Sequence, residues 1–71
     1  MPSAVKRKPT LTDREREVVK HIAAGATNTA IAFALELSYE TIKTTIKRIR
    51  SKIGAGSRTE VATWAGKNGV C

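Results

Sequence analysis

The sequence predicts an all-α fold of four short helices, and three observations predict it. Apolar residues recur at spacings of three and four through each ordered stretch. A capping hydroxyl opens each stretch, at Thr12, Thr27, Ser38 and Ser57. The connections between stretches are only a few residues long. The expected helices cover about 12–24, 27–35, 38–53 and 57–67, a four-helix bundle-like domain.

Length and charge narrow the function classes. A chain of 71 residues makes one small domain at most. Its formal charge of +7 and pI near 10.2 select polyanions as partners, either nucleic acid or an acidic membrane surface. The single cysteine, Cys71, excludes an internal disulfide framework and fits a reducing, intracellular home. No apolar run approaches the roughly 18 residues of a membrane span, and no signal-peptide core opens the chain. Three aromatic residues, Phe33, Tyr39 and Trp64, are too few for base-stacking platforms.

Residues 1–10, MPSAVKRKPT, contain two prolines and the triplet Lys6-Arg7-Lys8 without periodicity. They read as a flexible basic arm or linker stub before a domain spanning 11–71. In the first helix Thr12 and Glu15 form a capping box. Val18, Val19, Ile22 and Ala23 give the buried face. Asp13, Arg14, Glu15, Arg16, Glu17 and Lys20 balance in sign, which marks this helix as scaffold. Gly25 ends it in a left-handed conformation. Thr27 caps the second helix, where Ile31, Ala32 and Leu35 face inward. Ala30, Ala32 and Ala34 are small enough for close helix approach. Phe33 lies about 100° from Ala32 and about 160° from Ile31, which leaves it exposed or half-buried, with an interface role as one option.

Glu36-Leu37 is a tight connection to Ser38, the next N-cap. Leu37 and Ile42 have the spacing of a hydrophobic staple. The third helix carries Ile42, Ile46, Ile49 and Ile53 in a stripe roughly 60° wide. Thr44, Lys47 and Ser51 lie opposite, flanked by Lys43 and Arg48. Gly54-Ala55-Gly56 stops this helix. Ser57 and Glu60 read as a second capping box, and Val61, Ala62 and Ala65 as the core contacts of the fourth helix. Gly66 weakens that helix and Asn68-Gly69 ends it.

Catalytic and metal chemistry lack their residues. One His and one Cys cannot supply a zinc-type ligand set. No phosphate-binding glycine motif occurs. His21 reads as a solvated surface residue, and the acids of the first helix are explained by capping and surface pairing. The expectation is a protein that is not an enzyme and needs no cofactor.

The third helix suits DNA. A major groove accepts one α-helix, and sixteen residues span roughly 24 Å. Lys43, Lys47, Arg48, Arg50 and Lys52 are five cations against one acid, Glu40. Such a face releases counterions when it meets phosphates. The helix N-terminus, with Ser38 and Thr41, offers further donors. Thr44 is short enough to approach base edges, and Lys43 and Lys47 are long enough for guanine O6 and N7. The short second helix and tight turn before it complete a helix-turn-helix arrangement. A membrane-surface reading remains open on periodicity alone, although a narrow all-Ile seam is sized for a protein core.

The segment Leu11 to Val70 resembles the LuxR-type helix-turn-helix domain, also called the GerE or FixJ/NarL output domain. The likeness rests on LTDREREVVKHIAAG, TNTAIAFAL and SYETIKTTIKRIRSKIGAGSRTEV, in order and at the family's spacing. It implies a bacterial, cytoplasmic, nucleoid-associated transcription regulator. By position it implies base contacts from Lys43, Thr44 and Lys47. Phosphate contacts would come from Thr27, Asn28, Ser38, Thr41, Arg48 and Lys52. It further implies a homodimer on double-stranded DNA through Val61, Trp64, Ala65 and Asn68, with RNA polymerase as a candidate partner and no membrane. The chain departs from the family pattern at Thr45, often His, at Phe33, usually charged, and at Gly66, usually a larger aliphatic. The resemblance also implies either an excised output domain or a stand-alone regulator. The competing reading from another class is a small protein-interaction module or anti-regulator with only non-specific DNA affinity.

Overall fold

The computed structural model describes residues 11–70, and within them four helices follow one another without a strand. They are α1 (Asp13–Ala23), α2 (Asn28–Leu35), α3 (Tyr39–Ile53) and α4 (Arg58–Lys67). The basic triplet at 6–8 and Cys71 lie outside the described residues.

Each helix begins where the hydroxyls stand. The Glu15 N–H donates to Thr12 Oγ1 at 3.0 Å, and the Thr12 N–H donates to Glu15 Oε1 at 2.9 Å, which closes the capping box. Thr27 Oγ1 accepts from the Ala30 N–H, and Ser38 Oγ from the Thr41 N–H. Ser57 accepts from the Glu60 N–H at 3.2 Å, but the expected second box is only half formed. The Glu60 carboxylate accepts instead from the Gly56 N–H at 2.7 Å, one residue before the cap.

The helix ends use left-handed residues. Gly25 has φ +88°, and the Gly25 and Ala26 N–H groups return to the Ile22 and His21 carbonyls. Gly54 has φ +71° and Ala55 returns to the Arg50 carbonyl. The same geometry closes α2 without a glycine. Glu36 sits at φ 57°, while its N–H and that of Leu37 return to Phe33 and Ala32. A Cβ in this region costs about 1–2 kcal/mol. The short turn into α3 is therefore held against a local preference.

One hydrophobic cluster joins all four helices. Leu11, Val18, Val19 and Ile22 meet Ile31 and Ala32, then Ile42, Ile46 and Ile49, and finally Val61 and Ala65. Leu37, Ile53, Ala62 and Trp64 pack on its edge. The Ile stripe of α3 is thus core, as its width implied. α1 packs against α3 and α4, and α2 packs against α3. Close approach of α2 uses Ala32 alone, since Ala30 and Ala34 are exposed. His21 is half-buried, not a fully solvated residue. No helix among the described residues is long and apolar enough to cross a membrane.

Candidate nucleic-acid interface

Ser38 fixes the start of α3 and Gly54 its end, so the side opposite the Ile stripe is presented outward. Lys43, Thr44, Lys47, Arg48 and Ser51 are all exposed there. Lys47, Arg48 and Thr44 have no protein partner among the described residues. Thr41, Thr44 and Arg48 also line an open depression with Glu40 and Thr45. Lys43 is tethered: its Nζ lies 5.5 Å from the Tyr39 ring centroid and 3.8 Å from Glu40 Oε2. Both contacts lean the ammonium toward the N-terminal end of the helix, where Glu40 offsets part of its charge.

The hydroxyls at the helix starts are not equivalent. Ser38 Oγ accepts from the Thr41 N–H at 3.0 Å and donates to Thr41 Oγ1 at 2.8 Å. Its proton is committed within the turn, while the Thr41 hydroxyl keeps its own proton to donate outward. Thr27 accepts from Ala30 and likewise retains a proton. Asn28 Oδ1 accepts from Arg58 Nη1 at 2.5 Å, which leaves the two Nδ2 protons for an acceptor.

Two of the five α3 cations belong to the fold. Arg50 Nη2 donates to the Gly56 carbonyl at 2.7 Å, and its Nε is buried without a hydrogen-bond partner. Lys52 Nζ donates to Glu15 Oε1 at 2.7 Å, which ties α3 to α1. Glu15 is only 3% exposed. Burial alone would raise its pKa, but the hydrogen bond and charge of Lys52, with the bonds to Thr12, bring it below the ordinary carboxylate value.

The fourth helix carries the residues expected to join two copies. Val61 and Ala65 are fully buried in the core of their own chain, as their apolar spacing implied, and have no surface to offer a second copy. Asn68 Nδ2 donates to the Trp64 carbonyl at 2.8 Å and so closes the end of α4. Trp64 is half-buried beside an open groove formed with Ile53, Ala55 and Lys67. Of the four residues expected to join two copies, only Trp64 retains a substantial accessible side chain that its own helix does not use.

Thr45, a departure from the family pattern, is 5% exposed and is a packing position, not an outward reader. Phe33, another departure, is 87% exposed. Arg58 was not among the expected site residues, although it holds one of them. Its signal was the Ser57-Arg58 pair at the opening of α4, but no local spacing shows a contact made 30 residues away. Among the described residues no group of three or more His, Cys, Asp or Glu side chains gathers as a metal site.

This architecture defines a class: a small all-helical domain whose second and third helices form a helix-turn-helix with a cationic outer face. The chain belongs to the luxR family of bacterial regulatory proteins, whose model matches residues 9–65. It is 45% identical over 60 residues to the transcriptional regulatory protein YdfI of Bacillus subtilis, covering 84% of this chain and 28% of that protein. It is 39% identical over 69 residues to the transcriptional regulatory protein ComA of the same organism, covering 97% and 32%. Identity to the nitrate/nitrite response regulator protein NarL of Escherichia coli is 41% over 54 residues, covering 76% and 25%. The matched region thus spans about a quarter to a third of these relatives.

Proposed function

We propose that this domain binds double-stranded DNA sequence-specifically and acts in transcription regulation in the bacterial cytoplasm, with α3 in the major groove. The observation that carries the proposal is the exposed set of Thr44, Lys47 and Arg48 on the side of α3 opposite the core, unpaired among the described residues. Lys43, Thr44 and Lys47 are the base readers. Thr27, Asn28, Thr41 and Arg48 hold phosphates, with Ser38 supporting Thr41 from behind. Two copies meet on DNA through the half-buried Trp64 and the groove beside it. The family membership and the names of the regulatory relatives support the DNA role.

A fluorescence titration with labelled duplex DNA at several salt concentrations tests this reading. Affinity should fall steeply with salt, and a site selected from a random library should bind more tightly than bulk DNA. Salt-insensitive binding, or none even with a selected site, would refute it.

The exposure of Phe33 favours one second reading, a protein-interaction surface on α2. If that reading replaces DNA recognition, a tight protein partner lost in Phe33→Ala will accompany only non-specific DNA affinity.

A further inference from the structure

We propose that Arg58 is a positioning residue for DNA binding: from the start of α4 it sets which end of the Asn28 amide faces the phosphates and anchors the α2 N-terminus. The inference rests on the DNA reading above and assigns a role to a residue outside the expected contact set.

The geometry is specific. Arg58 is the first residue of α4 and is half-buried. Its Nη1 donates to Asn28 Oδ1, and its Nη2 donates to the Ala26 carbonyl. One planar guanidinium therefore grips the residues on both sides of Thr27, the N-cap of α2. These contacts bridge 30 and 32 residues of sequence.

The chemistry determines what this grip does. A guanidinium has only donors, so it selects the oxygen of a carboxamide and rejects the flipped amide. With Oδ1 taken, both Asn28 donors project away from Arg58. Asn28 is the first residue of α2, where unpaired N–H groups and the positive end of the helix also face outward. The Thr27 hydroxyl proton lies next to it in the chain. A phosphate requires donors alone, and Arg58 ensures that Asn28 presents donors. The Ala26 bond fixes the backbone that carries this group, so α4 and the α2 N-terminus move together.

Asn28→Asp separates this role from simple structural support. An aspartate keeps an oxygen for Arg58 but loses both donors and adds a repelling charge. Binding to a fluorescein-labelled random-sequence duplex should weaken by about tenfold or more, with no loss of thermal stability. Arg58→Met and Asn28→Ala should each weaken binding by about fivefold, while the double variant should bind no more weakly than either single variant. Where Arg58→Met melts below the assay temperature, Arg58→Lys, which keeps the charge but lacks the planar fork that grips both oxygens, takes its place in the cycle. Losses that multiply in the double variant, or an Arg58 variant that binds like the wild type, would overturn the proposal while leaving the DNA reading intact. A wild-type domain that fails to bind any duplex would overturn both.

Discussion

The two ends of the cationic run on α3 have opposite fates. Lys47 and Arg48 are exposed and have no protein partner among the described residues, whereas Arg50 and Lys52 are bound to their own chain. All four charges look alike in the sequence. They differ because the helix C-terminus lies against α1 and the α3–α4 turn, where Glu15 and the Gly56 carbonyl await them. The middle of the helix faces nothing. A count of basic residues therefore does not separate the charges that the fold pairs from those that it leaves facing outward. The pairing is also why Glu15 can be buried: an ionised carboxylate inside the domain requires both the capping N–H and an ammonium.

The largest effect should come from breaking the structural end. Glu15→Ala removes the cap acceptor and leaves Lys52 without that partner. It should destabilise the domain by about 3 kcal/mol, and a thermal melt would show a fall of roughly 10 °C or more. Acid should act on the same contact. Because the folded pKa of Glu15 is lowered, its contribution is present above the ordinary glutamate value of 4.5 and lost as pH falls through the lower folded value. Denaturant titrations across this window should show a smaller acid-induced loss in Glu15→Gln than in the wild type.

The exposed middle should respond in the opposite sense. Lys47→Ala should weaken binding to a selected site by about 1–3 kcal/mol and relax its base preference, while stability changes by less than about 0.5 kcal/mol. An equal loss on every sequence would mark Lys47 as a phosphate contact. A smaller effect is expected at the turn that aims α3. Glu36→Gly removes the Cβ from a left-handed residue and should stabilise the domain by about 1 kcal/mol in a denaturant titration.

Most of the fold was legible because its determinants are local. Thr12, Thr27, Ser38 and Ser57 mark helix starts through contacts three residues long, and Gly25 and Gly54 mark the ends through their left-handed φ and the short-range backbone bonds it permits. The Ile stripe fixes which side of α3 is inside. What local spacing could not reveal was how distant polar groups meet. Lys52 reaches Glu15 across 37 residues and Arg58 reaches Asn28 across 30. The same blindness placed Val61 and Ala65 in two roles at once. Periodicity marked them as core and family position marked them as interface, but a fully buried side chain cannot serve both in the same packing. Glu60 failed the local rule for a specific reason: with the Gly56 N–H nearby, its carboxylate reached past the cap.

The comparison between the two ends of the run predicts unequal salt dependence. In duplex titrations over a range of salt, Arg48→Ala should reduce the steepness of the log affinity against log salt plot by roughly 0.9, the value for one lost phosphate contact. Arg50→Ala, whose guanidinium is bound to the Gly56 carbonyl, should leave that slope unchanged. An equal reduction in both variants, or a reduction in Arg50→Ala alone, would contradict the division of α3 into a DNA-facing middle and a structural end.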